Sequence, residues 1–276
     1  MLTLKNYSTT LIRCMSVKSK AQEVETYKPV KSILISQPKP TRSPYFNLEK
    51  KYNVTIDFRP FIHVEGVEVR EFRKLRIRPD EFSAIIFSSK NAIEHFFRIC
   101  EDFRIQMSAE TKYFCISEAV ANYLQKFIVY RKRKVFAGKR TIRDLKAYFL
   151  KHKDKERFML PCSNLGSKKI TEYLNELGVD YKEAMMYRTV SSDLSDLSDI
   201  TYDVLVFFSP LGIKSLYNNF PDFEQNETRI AVFGTSTSKA VEDRGLNINI
   251  KAPAPETPSM TMALEQYIRK TLAQNE

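Results

Sequence analysis

Six short apolar runs in this sequence end in residues that carry hydroxyl or amide groups. They lead into Ser36 and Gln37; Ser88 and Ser89, with Lys90 and Asn91 behind them; Ser117; Ser163, between Cys162 and Asn164; Ser209; and Thr235, Ser236 and Thr237. A hydroxyl placed where a strand gives way to a helix has two uses. It accepts a hydrogen bond from the first helical turn as an N-cap. With the unpaired backbone N–H groups of that turn, it also binds an anion without a cationic side chain. Taken singly, each of these residues reads as a cap. Their recurrence at matching places in a repeat, in a chain with excess positive charge, reads as an anion-binding set.

The elements that must position them are themselves duplicated. AIIFSSKNAI, from Ala84, matches VLVFFSPLGI, from Val204, with Phe87 against Phe207, Ser89 against Ser209 and Ile93 against Ile213. Downstream, YFCISEAVANYL from Tyr113 matches IAVFGTSTSKAV from Ile230, with Ser117 against Gly234 and Val120 against Thr237. A second pair, SILISQPKP from Ser32 and RFMLPCSNLG from Arg157, each leads through a loop and helix to another strand, with Asn53 against Gly178 at the left-handed turn that ends the helix. Strands separated by helices of this length need crossover connections, so each half predicts a parallel sheet with helices on its faces. Ligands bind such sheets at the carboxyl ends of the strands, where the hydroxyl residues fall. Two sequential domains satisfy the repeat, and so does a first unit that pairs with the last while the middle forms its own domain. Segments 58–66 and 183–191 are extended in character and either could cross between domains.

The 276 residues include 44 Lys plus Arg against 33 Asp plus Glu, a net charge of +11 that points to an anionic partner. No uninterrupted apolar run reaches membrane-spanning length. Cys14, Cys100, Cys115 and Cys162 form no CxxC pair, and with His63, His95 and His152 they show no zinc spacing. Free thiols in a reducing cytoplasm are the simplest reading. The first 28 residues read as a disordered leader or as sequence upstream of the true start. No GxGxxG or GxxxxGKS-type loop occurs, so a nucleotide held by glycine-rich backbone is not expected. His63 and His95 read as surface or partly packed residues. The basic run Arg131–Lys134, between strand-like FIVY and VFAGKR, reads as a solvated face; Tyr130 and Phe136 fit core positions of strand alternation, not stacking platforms.

Read in order, seven segments resemble the uroporphyrinogen-III synthase family: ISQPKP; FSSKNAI, like that family's FTS turn; LPCSNLGSKKITEYLNELGV; MMYRTV, like its tyrosine-containing crossing strand; VFFSPLGI; AVFGTSTSKAV, like its helix entry; and APAPETPSMTMAL. The likeness runs from about Lys31 to the C-terminus. It implies two flavodoxin-like parallel-sheet α/β domains joined by a two-stranded linker, with the active site in the cleft between them. The first domain would be discontinuous, 29–60 plus 190–276. The second would be inserted at 66–184, with linker strands near 58–66 and 183–191.

The implied reaction is dehydration and cyclisation of hydroxymethylbilane with inversion of its last ring, with no metal or organic cofactor. That substrate is a linear tetrapyrrole polyanion and suits the positive charge. Tyr187 matches the family's tyrosine proposed to hydrogen-bond the leaving hydroxyl, and Ser89, Ser209, Thr237 and Arg229 match positions implicated in substrate binding. Ser36, Gln37, Ser88, Lys90, Asn91, Ser117, Ser163, Thr235 and Ser236 complete the expected binding set. Three positions depart from the family pattern: Val120 stands for a threonine, Asn91 for an arginine of some members, and Thr235 for the usual proline. A cytoplasmic monomer without nucleic-acid or membrane partners is expected. The rival reading is a non-catalytic binding protein for an anionic small molecule.

Overall fold

The computed structural model describes residues 28–273. Cys14 and nearly all of the expected leader lie outside them. The first half of the chain forms β1 (Ser32–Ile35), α1 (Tyr45–Tyr52), β2 (Thr55–Phe58), β3 (Ile62–Gly66), α2 (Val69–Lys74), β4 (Ala84–Phe87), α3 (Lys90–Asp102), β5 (Lys112–Cys115), α4 (Glu118–Leu124) and β6 (Val135–Ala137). The second forms α5 (Lys146–His152), β7 (Phe158–Ser163), α6 (Lys168–Glu176), β8 (Tyr181–Ser191), β9 (Val204–Phe207), α7 (Pro210–Asn219), β10 (Arg229–Phe233), α8 (Thr235–Glu242), β11 (Ile250–Ala252) and α9 (Met260–Ala273).

The apolar runs are the buried centres of two sheets. β4 and β9 are buried at every residue, as strands covered by helices on both faces must be. Alternation divides each sheet's core in two. In β4, Ala84 and Ile86 face one cluster with Phe114, Phe149 and Phe158, while Ile85 and Phe87 face another with Ile93, Phe96 and Met186. In β1, Ile33 and Ile35 face α9, while Leu34 lies on the face shared with Ile213 and Leu216 of α7.

A five-stranded sheet has the order β11-β10-β9-β1-β2, and its pairings are all parallel. A six-stranded sheet has the order β3-β8-β7-β4-β5-β6, parallel except for β3. Ile33 of β1 pairs with Val204 of β9, so the start of the chain joins its last third in one sheet. Counted along the chain, the five-stranded order is 2-1-3-4-5, that of flavodoxin. The parallel part of the other sheet runs 3-2-1-4-5 instead: β4, β5 and β6 wind outward in succession before the chain returns to lay β7 and β8 on the other side. The expectation of two flavodoxin-like sheets is corrected on this point, because repeated strand–helix units fix parallel pairing but not the direction in which each crossover turns.

The chain passes between the sheets at Arg59–Phe61 and again after Ser191, where β3 and the end of β8 form an antiparallel ladder from Ile62 opposite Ser191 to Gly66 opposite Tyr187. Helix α7 holds this crossing. Ser215 donates its hydroxyl proton to the Phe61 carbonyl, and the Asn219 amide donates to the Ser192 carbonyl at 2.9 Å while accepting from the Leu194 N–H at 2.9 Å. The strand expected at FIVY is absent: Phe127–Tyr130 is turn and coil, Val129 is 84% exposed, and Tyr130 is exposed, not core. The basic run that follows is a turn in which Arg131 and Lys134 pair with Glu110. Among the described residues no helix is long and apolar enough to cross a membrane.

Candidate active site

In an open parallel sheet, neighbouring strands whose crossovers leave in opposite directions have a crevice at their carboxyl ends, and ligands bind there. The five-stranded sheet has this switch between β1 and β9, and the six-stranded sheet has it between β4 and β7. The residues that end those strands are Ser36 and Ser209 in one sheet, and Ser88, Ser89 and Ser163 in the other. Ser117 ends the neighbouring β5, and Thr235, Ser236 and Thr237 follow the neighbouring β10.

Ser89, Ser117 and Ser209 are N-caps, each accepting a hydrogen bond from the third residue of its helix: Ala92 N–H at 3.1 Å, Val120 N–H at 3.3 Å and Gly212 N–H at 3.3 Å. Those bonds account for one orphan donor of each helix, and the other first-turn N–H groups are left without intrahelical acceptors. The first turn of α3 adds Lys90, whose ammonium rests 5.3 Å from the Tyr123 ring centre, and half-buried Asn91. Pro210, the first residue of α7, suits a position where an N–H is not needed. At α8 the cap is Gly234, with φ 87° and ψ 154°, a conformation open almost only to glycine. Thr235 and Ser236 above it are exposed, whereas Thr237 is buried and its hydroxyl has no hydrogen-bond partner among the described residues.

Tyr187 lies on β8, the strand next to β7 on the far side of the six-stranded sheet's switch. It pairs across the ladder with Ser163 of β7 and, on its other side, with Gly66 of β3. Only 7% of it is exposed, and its hydroxyl is 3.3 Å from the Ser89 hydroxyl. Because Ser89 Oγ already accepts from Ala92, its own proton is free to point at the Tyr187 oxygen. The phenol proton is then available to a third group. The adjacent Arg188 is engaged elsewhere, in a two-toothed pair with Glu71 whose hydrogen bonds hold the Glu71 carboxyl below its ordinary range.

The turn after β1 is tight: Ser36 N–H reaches Val206 O at 3.1 Å, and Gln37 N–H reaches Ile35 O at 2.8 Å. Ser36 Oγ lies against α7, 3.8 Å from where a side chain at Gly212 would begin. Helix α1 starts only at Tyr45, so Ser36 and Gln37 belong to a loop and not to a helix entry. Ser163 likewise opens a loop, because α6 starts at Lys168; its hydroxyl accepts from Leu165 N–H at 3.3 Å. Asn164 is structural. Its side chain accepts from Thr189 N–H at 2.9 Å and donates to Thr189 O at 3.3 Å, prolonging the β7–β8 ladder. Burial pushes the Cys162 thiol up to about 11, leaving it unreactive at neutral pH.

Arg229 does not join this group. It is the first residue of β10, at the amino edge, whereas Gly234 and Thr235 follow the carboxyl end of the same strand. Its buried guanidinium donates to Pro29 O at 2.9 Å and Glu227 O at 3.0 Å. Two cavities also lie at amino edges. One of about 740 Å³ is lined by Tyr202, Asp203, Phe223 and Arg229; the other, of about 660 Å³, by Met107, Tyr113, Phe127 and Lys134. Neither includes a hydroxyl from the carboxyl-edge turns.

Sequence reading missed the surroundings of Tyr187. His95 of α3 stacks on its ring, with centroids 5.2 Å apart and planes 15° apart. Arg98, one turn on, donates to Val67 O at 2.7 Å. The one available signal was helical spacing, since Asn91, His95 and Arg98 fall on one face of α3.

Two largely parallel sheets with hydroxyl-capped helix entries at their switch points, one of them sharing a hydroxyl pair with a strand tyrosine, define an α/β protein with helix N-termini and a phenol at the carboxyl edges of its strands. Sequence comparison gives that class a family: the chain belongs to the uroporphyrinogen-III synthase HemD family, whose model matches residues 47–262. It is 23% identical over 260 residues to uroporphyrinogen-III synthase of Chlorobaculum parvum, covering 87% of this chain and all of that one. Its fold is similar to the crystal structure of uroporphyrinogen-III synthetase from Helicobacter pylori 26695, with a TM-score of 0.54 and 18% identity over 87% of this chain and all of that one.

Proposed function

We propose that this chain, as a uroporphyrinogen-III synthase, converts hydroxymethylbilane to uroporphyrinogen III by losing water and closing the ring with the last pyrrole inverted. The observation that carries the reading is the placement of Tyr187 beside Ser89, which stands at the switch point of a sheet, in a chain of this family.

The residues supply positioning and hydrogen bonds. Departure of the terminal hydroxyl is driven by the pyrrole nitrogen, and the Tyr187 O–H, with Ser89 behind it, donates a hydrogen bond to the leaving oxygen. The resulting azafulvene cation is attacked by the substituted carbon of the last pyrrole. The spirocyclic intermediate then fragments and recloses with that ring reversed. Holding a flexible chain so that it does not close without inversion is the harder task. For this the substrate carboxylates are assigned to the first turns of α3, α4, α7 and α8, with Ser36, Gln37, Ser88, Ser89, Lys90, Asn91, Ser117, Ser163, Ser209, Thr235, Ser236 and Thr237 around them. The unpartnered Thr237 hydroxyl and the open space above Gly234 support a ligand at α8.

In this reading the chain forms two lobes, 29–60 with 190–276 and 66–184, and their carboxyl edges are the walls of one cleft. The strands near 58–66 and 183–191 link them. The protein acts as a cytoplasmic monomer without an organic cofactor. Incubation with hydroxymethylbilane tests the reading: rapid substrate loss with type III product supports it, and tight binding without turnover marks the non-catalytic alternative.

A further inference from the structure

Tyr187 touches helix α3 at its cap and at one ring, and a third residue of that helix holds the strands around it. Ser89, the cap of α3, meets the hydroxyl at 3.3 Å. His95 lies parallel to the ring at 5.2 Å. Arg98 holds both strands one residue beyond the ladder pair formed by Gly66 and Tyr187, where Val67 lies opposite Met186. Its Nη2 donates to Val67 O at 2.7 Å and is 3.4 Å from Met186 O.

Gly66 makes the last contact possible. A Cβ there would begin 2.7 Å from the Arg98 guanidinium carbon, closer than any real contact, so an alanine must displace the guanidinium. The imidazole is itself constrained: its Nδ1 is buried without a partner among the described residues. A ring that gains no hydrogen bond at that nitrogen but covers the face of a tyrosine serves by its shape. The carboxylate of Asp102, 3.2 Å from Arg98 Nη1, fixes the other end of the guanidinium.

We propose that His95 and Arg98 are positioning residues for Tyr187, His95 setting the plane of the phenol and Arg98, admitted by Gly66, setting the backbone that carries it. This rests on the reading of Tyr187 as the donor to the leaving hydroxyl. Neither residue touches substrate. Their effect is on how often the phenol points where it must, and that enters kcat and not KM.

Steady-state kinetics on the full chain tests this with His95→Ala, His95→Phe and Gly66→Ala, each alone and with Tyr187→Phe. His95→Ala and Gly66→Ala are expected to lower kcat roughly ten- to a hundredfold with KM within about twofold, and His95→Phe, which keeps a flat ring, to recover most of it. With Tyr187→Phe already present, His95→Ala is expected to cost nothing further, because the hydroxyl being positioned is gone. An equal loss in both backgrounds, or no rescue by His95→Phe, overturns the proposal. Ring-labelled tyrosine NMR separates this from failure of the catalytic reading. The Tyr187 ring signal, assigned by its loss in Tyr187→Phe, is expected to move in His95→Ala and to hold close to place in His95→Phe whatever the kinetics. An unmoved signal overturns the positioning role. A moved signal in an enzyme indifferent to Tyr187→Phe sustains the positioning and overturns only the donor role.

Discussion

The hydroxyls of Ser89 and Tyr187 stand 3.3 Å apart although 98 residues separate them in the chain. One is the cap of a helix that follows β4, the other a strand residue two ladders away, past β7. The cap bond from Ala92 fixes Ser89, and Ser89 in turn can fix the phenol with its proton turned outward.

Tyr187→Phe is therefore expected to slow turnover by roughly ten- to a thousandfold, the loss of one hydrogen bond to the leaving group. The product stays type III, because inversion depends on how the substrate is folded. A thermal melt checks that the fold is intact. A wild-type rate marks Tyr187 as a packed strand residue.

Ser89→Ala and Ser117→Ala separate capping from chemistry. Each removes a cap bond worth about 1 kcal/mol, so urea denaturation is expected to show similar losses. Only Ser89 also meets Tyr187, so kcat falls further in Ser89→Ala. Equal effects on kcat would leave Ser89 as a cap alone.

The repeat made these capping serines legible, because an apolar run, a hydroxyl and a helical stripe recur at the same spacing after Ala84 and Val204. The same signals misled at FIVY, where alternation imitates a strand but the turn after α4 leaves Val129 in solvent. Arg229 was placed in the site by resemblance alone, although it precedes the apolar run at 230–233 and therefore lies at the amino end of its strand, away from the carboxyl-edge turns. The contacts of His95 with Tyr187 and of Arg98 with Val67 were invisible, since they depend on how α3 lies across β8 and on the missing side chain at Gly66.

Arg229→Ala is expected to act on stability and not on substrate binding. It strips donors from the Pro29 and Glu227 carbonyls at a buried place, a loss of about 1–3 kcal/mol in urea denaturation, with KM unchanged. A raised KM with unaltered stability would return Arg229 to the site.

Acid should destabilise the fold through two histidines. Burial, with Arg98 beside His95 and Lys112 beside His152, lowers both below the ordinary value of 6.5. A histidine depressed in the native state takes up its proton first in the unfolded chain, so its contribution is complete above about pH 6.5 and is lost as pH falls from there toward the depressed values. Urea midpoints measured from pH 7.5 downward are expected to fall across that window, and less steeply in His95→Phe and His152→Gln. Identical slopes in the variants would remove the histidines as the cause.

The most direct test of the whole account is the isomer formed from hydroxymethylbilane, separated chromatographically after incubation with the purified chain and compared with buffer alone. Uroporphyrinogen III, formed well ahead of spontaneous closure, is the predicted product. Uroporphyrinogen I alone, accumulating at the rate seen in buffer, would contradict the assignment.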